Sequence, residues 1–335
     1  MTFRCLLWLT MVCLALAQPK QPQTDGKFTA FDLPSPNSGP SSLALAPDGT
    51  VWFTEQTGNR IGRMNPDGTG LKEYPLPVAD SGPRVITIGP DKNFWFSEHN
   101  HGYIGRIGPE GILSEFPIPT RDSHPRAIAL GKDGNIYFGE FTGNGIGRIS
   151  AKAMFTEFPI PTPNSGPRAL AAGADGNIWF SEFNADKIGR LTPEGRITEF
   201  SLPRPNSGPG DITAGADGNL WFLELNGRMD GRVVEGNRVA RITTEGKITE
   251  FPIPTASASP INIAVGPDGN IWFTEAGKLG RVTPDGMITE FVVPGANARP
   301  TGLTAGSDRR PPDSLTNKLW YADAGGNKIG FLSFR

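Results

Sequence analysis

A four-residue unit, Trp-Phe-x-Glu, recurs along this 335-residue chain and limits what it can fold into. It stands as Trp52-Phe53-Thr54-Glu55, Trp95-Phe96-Ser97-Glu98, Trp179-Phe180-Ser181-Glu182, Trp221-Phe222-Leu223-Glu224 and Trp272-Phe273-Thr274-Glu275. Two altered copies are Tyr137-Phe138-Gly139-Glu140 and Trp320-Tyr321-Ala322-Asp323. Successive copies are separated by 43, 42, 42, 42, 51 and 48 residues. A period near 42 is the length of a propeller blade built from short strands. With 43 glycines and 32 prolines, both helix breakers, the composition argues against a helical protein. The predicted fold is all-β, a seven-bladed β-propeller of four-stranded blades.

The copy from Pro167 to Pro203 shows the unit most clearly. A short apolar strand covers Arg168 to Ala172, and Ala174-Asp175-Gly176-Asn177 forms a hairpin turn. Strands then follow at Ile178 to Glu182, Lys187 to Leu191 and Arg196 to Ser201. The second strand is almost wholly apolar, as expected of a strand covered on both sides by neighbouring blades. The tetrad Trp and Phe are expected to point to opposite faces and wedge adjacent blades together. The chain stops one strand short of seven complete blades. Residues Phe28 to Pro34 match Ile197 to Pro203, so the last blade is expected to be closed by the N-terminal strand.

Residues 1–17 read as a secretory signal: Arg4, an apolar run from Leu6 to Leu16, and small residues at Ala15 and Ala17. Residues 18–26 read as a linker and 27–335 as the propeller. Both cysteines, Cys5 and Cys13, fall in the signal, so the mature chain is expected to hold no disulfide and no thiolate site. The net charge of −2 gives no basic patch for nucleic acid, and the apolar run is too short for a membrane span. A secreted or periplasmic monomer is expected.

Strand order divides the loops between two faces. The face where each innermost strand begins and each second strand ends, called the top, gathers the residues with chemistry. The tetrad acids are expected to ring the central opening there, and Glu98, Glu140 and Asp323 are candidate metal ligands. Arg84, Arg126 and Arg168 each follow the proline that opens an innermost strand, which makes them a candidate anion site. All three histidines, His99, His101 and His124, lie in top-face loops of adjacent blades. With Glu140 they are candidates for proton transfer. Blade five carries an insertion between Glu224 and Val239 that suits a top-face lid; a second insertion, around Arg309 to Asp313, belongs to the bottom.

Phrases such as Gly266-Pro267-Asp268-Gly269-Asn270-Ile271-Trp272-Phe273-Thr274-Glu275, Lys187-Ile188-Gly189-Arg190 and Ile248-Thr249-Glu250-Phe251-Pro252-Ile253-Pro254 resemble the virginiamycin B lyase (streptogramin lyase) family. The resemblance covers about residues 27–335. It implies a seven-bladed propeller and a lyase that opens a cyclic depsipeptide at its ester by elimination, with Mg²⁺. It also implies a histidine after the strand-opening proline in the last two blades, where this chain has Ile261 and Thr301. A metal-associated glutamate before the final proline is replaced by Arg299, and the last tetrad acid is Asp323. Ile and Thr cannot abstract a proton, so the chemistry is expected to have moved to blade three, around His124, Arg126 and Glu140. Two function classes follow: an exported carbon–oxygen lyase or lactone/ester hydrolase, Mg²⁺-assisted, or a non-catalytic propeller binding an anionic small molecule, glycan or peptide at its mouth.

Overall fold

The computed structural model of the protein describes residues 26–229, 231–305 and 317–334. The signal at 1–17, almost all of the linker at 18–26, and the insertion around Arg309 to Asp313 lie outside the described residues. The rest forms seven four-stranded antiparallel sheets. In six of them the strands are consecutive in the chain; the seventh joins Lys27–Asp32 to Lys328–Ser333, Lys318–Asp323 and Pro300–Ala305. The N-terminal strand pairs from Lys27 opposite Ser333 to Asp32 opposite Lys328, closing the ring as expected. Among the described residues no helix is long and apolar enough to cross a membrane.

Five of the seven second strands are buried along their whole length, for example Ile178–Glu182 and Ile271–Glu275. The tetrad aromatics explain why. Trp179 packs with Phe222 of the next blade, while Phe180 packs with Tyr137 of the preceding one. The two rings of one tetrad therefore serve two different inter-blade cores, and the wedge repeats around the circle. A ring that large needs room across the sheet. A Cβ on Gly189, opposite Phe180, would lie 2.1 Å from that ring, so only glycine fits the third strand there. The turn aspartate does more than shape its hairpin, since Asp175, Asp217 and Asp268 accept from the indole Nε1 of Trp179, Trp221 and Trp272. The arginine of the third strand stacks over the same indole and donates outward. Arg190 is 5.5 Å from the Trp179 ring and bonds the Thr244 carbonyl of the next blade at 2.9 Å.

Six of the seven innermost strands begin at a proline paired with the tetrad acid, and then bulge. The register slips between Pro40 and Leu43, Pro83 and Ile86, Pro125 and Ile128, Pro167 and Leu170, and Pro209 and Ile212. A bulge re-aims the side chains it contains. Here the bulged residues are those that reach the propeller axis.

Candidate functional site

A cavity of about 100 Å³ opens on the axis at the top face. All seven innermost strands or their leading loops line it, through Ser41, Ser42, Arg84, Val85, Arg126, Arg168, Ala169, Asp211, Ile261, Asn262 and Thr301. The three arginines singled out from sequence thus meet in one cavity. Each follows its proline and lies within the bulge, which carries it toward the axis instead of into a blade interface.

Their positions are held from two sides. In four of the seven copies the third tetrad residue is a hydroxyl, and in the first two it ties blades together at the mouth. Thr54 Oγ1 donates to the Arg84 carbonyl at 2.8 Å, and Ser97 Oγ to the Arg126 carbonyl at 3.3 Å. The residue after the tetrad supplies a ring: Arg126 lies 4.4 Å from the Phe141 centroid and Arg168 5.1 Å from that of Phe183. Stacking of this kind fixes the guanidinium plane while leaving its edge for hydrogen bonding. The blade-five insertion extends the hairpin Leu220–Met229 and Arg232–Ile242. Its Arg232, at the far end of the hairpin opposite Met229, lies over Phe183 at 5.7 Å and pairs with Asp186, so that end is held against blade four.

Asp211 is the one acidic residue among the described lining residues. Its Oδ2 accepts from the Ile263 amide at 3.1 Å and from the Asn262 side chain. Burial pushes its carboxyl up to about 6, despite these backbone bonds and the nearby Arg168. Sequence reasoning missed Asp211 and Asn262. Both stand two residues after the strand-opening proline, one position beyond the arginines, and aligning that position across the seven copies would have exposed them.

The histidines divide. His99 and His124 come together, with ring centroids 5.3 Å apart. His99 Nδ1 lies 3.3 Å from the Pro125 carbonyl. A carbonyl only accepts, so Nδ1 carries the proton and Nε2 keeps a lone pair. Burial first, then Arg84, Arg126 and His124, holds the His99 imidazole down at about 3, neutral at physiological pH. His124 donates from Nδ1 to the Asp122 carbonyl at 2.8 Å and adopts a left-handed backbone with φ of 47°. At that place four of the other six loops have glycine, Gly39, Gly82, Gly166 and Gly208, and the remaining two have Ser259 and Arg299. His101 turns away, bonding the Ala79 carbonyl at 3.0 Å from an exposed position.

The tetrad acids do not ring the opening. None lines the cavity, and Glu55, Glu98, Glu140, Glu182, Glu224, Glu275 and Asp323 are all buried. The second strand lies one strand away from the axis, so its last side chain is covered by the innermost strand and faces the third and outermost strands. Glu55 meets Arg60 at 3.6 Å, and Glu224 meets Arg238 at 3.5 Å. Burial, with the outer-strand glutamates Glu115 and Glu157, raises Glu98 and Glu140 to about 7. Asp323 instead caps its own loop, accepting from the Arg299 and Gly326 amides at 2.7 and 3.0 Å. Glu98, Glu140 and Asp323 are therefore not brought together as a metal set, and Glu140 is not joined to the histidines. Among the described residues no group of three or more His, Asp or Glu is placed to hold a metal ion. A mouth of three guanidiniums and one carboxylate does not fit a dication such as Mg²⁺.

A model of the virginiamycin B lyase family matches residues 6–232 and 154–335. Virginiamycin B lyase from Bacillus licheniformis is 43% identical over 42 residues, 12% of this chain and 14% of that protein's length. A crystal structure of virginiamycin B lyase from Staphylococcus aureus superposes with a TM-score of 0.84 and 38% identity, covering 93% of this chain and 100% of the other. A catalytically inactive form of the Staphylococcus aureus enzyme with quinupristin gives 0.84 and 36%, with 93% and 100% covered. Ile261 and Thr301, where the resemblance implies histidines, both line the axial cavity described above. Fold, repeat and family match agree, and the chain belongs to the virginiamycin B lyase family.

Proposed function

We propose that this is an exported propeller that binds the anionic group of a small molecule or peptide in its axial mouth. The observation that carries this reading is the convergence of Arg84, Arg126 and Arg168 on one cavity. Guanidiniums offer planar, charge-assisted donor edges suited to carboxylate, sulfate or phosphate. Calorimetric titration with inorganic sulfate in the presence of chelator tests it. Saturable binding is expected, weakened about tenfold or more by each of Arg84→Ala, Arg126→Ala and Arg168→Ala, since a charged hydrogen bond contributes about 1.5–3 kcal/mol. Absence of binding in the unaltered chain sinks the reading.

A second reading is favoured by the His99 Nε2 lone pair beside the arginines. In it, His99 takes a proton from the carbon next to an ester-bearing carbon. The C–O bond then breaks to leave an alkene, and the departing carboxylate is received by the arginines. A cyclic depsipeptide of the quinupristin type is the family's precedent for such a substrate. A base held near 3 is a weak proton acceptor at neutral pH, which ranks this reading below simple binding. Turnover of a cyclic depsipeptide or simple lactone that persists in chelator and disappears in His99→Gln would reverse the order.

A further inference from the structure

The same oxygen cage is built at the top of three blades, and in one of them the charge it was built around is missing. In blade four, Lys187 Nζ donates to Thr162 Oγ1 at 2.6 Å and lies 3.4 Å from Glu199 Oε2, while the Thr162 amide donates to Glu199 Oε1 at 3.2 Å. In blade six, Lys278 Nζ reaches Thr255 Oγ1 at 2.5 Å and Glu290 Oε2 at 2.7 Å, and the Thr255 amide donates to Glu290 Oε1 at 3.1 Å. The tetrad acids Glu182 and Glu275 face the same ammonium groups across the sheet.

Blade three keeps the two glutamates and the threonine of this arrangement. The Thr120 amide donates to Glu157 Oε1 at 3.0 Å, and Glu140 is the tetrad acid. The residue at the lysine position, opposite Glu140 in the ladder, is Gly145. A Cβ added there would sit at contact distance from acceptors, 3.4 Å from the Phe158 carbonyl oxygen and 3.6 Å from Glu140 Oε1, so Glu140 Oε1 is aimed at the place of the missing side chain. Glu140 is 1% exposed, and its Oε1 is buried with no hydrogen-bond partner. Blade one fills the corresponding space with Arg60, which meets Ser35 Oγ at 2.7 Å and Glu73 Oε2 at 3.2 Å. Blade two has Tyr103 there, and lacks the threonine, with Val78 in its place.

We propose that the cage between Glu140, Glu157 and Thr120 binds a divalent cation of the calcium type in place of the lysine ammonium, with water completing its shell. The donors are all oxygen, two of them carboxylates, and the exposed Glu157 can adjust to the irregular, many-coordinate shell that Ca²⁺ accepts and Mg²⁺ resists. The site lies outside the arginine mouth and does not depend on what the mouth binds.

The proposal is tested by thermal unfolding and calorimetric titration of the full chain, first stripped with chelator, then with CaCl₂, MgCl₂ or KCl at matched ionic strength. Saturable Ca²⁺ binding with a raised melting temperature is expected, because a ligand that binds only the native state stabilises it. Glu157→Gln should weaken that binding at least tenfold. Gly145→Lys, which rebuilds the blade-four arrangement, should abolish the Ca²⁺ response and raise the melting temperature without metal. The proposal is overturned if Ca²⁺ has no saturable effect, if K⁺ alone binds, or if Glu157→Gln and Gly145→Lys respond to Ca²⁺ as the unaltered chain does. Should Gly145→Lys not fold, the Glu157→Gln comparison decides alone.

Discussion

The rings of His99 and His124 lie 5.3 Å apart and are inclined at 59° to one another, at the rim of a cavity lined by arginines. They come from the loop after one tetrad and the loop before the next innermost strand. His99 cannot gain a proton without facing His124 and the guanidiniums of Arg84 and Arg126. Long-range nitrogen–proton NMR of the imidazoles should therefore show His99 neutral down to about pH 4, with Nδ1 protonated. In Arg126→Met the His99 titration should move upward, because one of the charges opposing protonation is gone. A His99 resonance that titrates near the ordinary histidine value in the unaltered chain would contradict the geometry of the rim.

Asp211 makes anion binding pH-dependent. Its carboxyl titrates at about 6, so below that pH the mouth loses the one negative charge on its described lining and keeps its arginines. Sulfate, which does not itself titrate in this range, should bind more tightly as pH falls from 7.5 to 5. Asp211→Asn should bind it more tightly at pH 7.5 and show little pH dependence. Calorimetry at several pH values reads both effects.

The six buried tetrad glutamates should make the fold more stable in mild acid. Glu55, Glu98, Glu140, Glu224 and Glu275 are raised to about 7, and Glu182 to about 8, each chiefly by burial. Between the ordinary glutamate value and these raised ones the native state holds protons that the unfolded chain has released. Stability must then fall as pH rises through that window. His99 opposes this below its ordinary value, but it is one group against six. The melting temperature, measured in chelator, should drop from pH 5.5 to pH 8.5, and Glu98→Gln should flatten the slope.

His124 is strained where four of its six counterparts are glycine. A side chain in the left-handed region costs roughly 1–2 kcal/mol, and His124 sits there with φ of 47°. His124→Gly should raise stability by about 1 kcal/mol in denaturant titration. The same change should remove whatever the second imidazole contributes at the mouth. A destabilised His124→Gly variant would mean that the ring's packing against His99 outweighs the backbone cost.

Much of the architecture was legible in the chain because a propeller writes its own period. The tetrad spacing, the Asp-Gly turns and the match between Phe28 to Pro34 and Ile197 to Pro203 define blade number, strand order and the closing strand through local sequence alone. The arginine trio was legible too, since a strand-opening proline marks the same height in every blade. What the chain could not reveal was direction. Whether a side chain near the top looks to the axis or to the rim depends on a bulge in one strand and its absence in the next. That is why Arg84, Arg126 and Arg168 reach the mouth while the tetrad acids turn outward, and why His99 meets His124 while His101 does not. Only the packed sheets, each hiding its second strand between two neighbours, decide which polar groups share a low-dielectric space and so which charges shift one another.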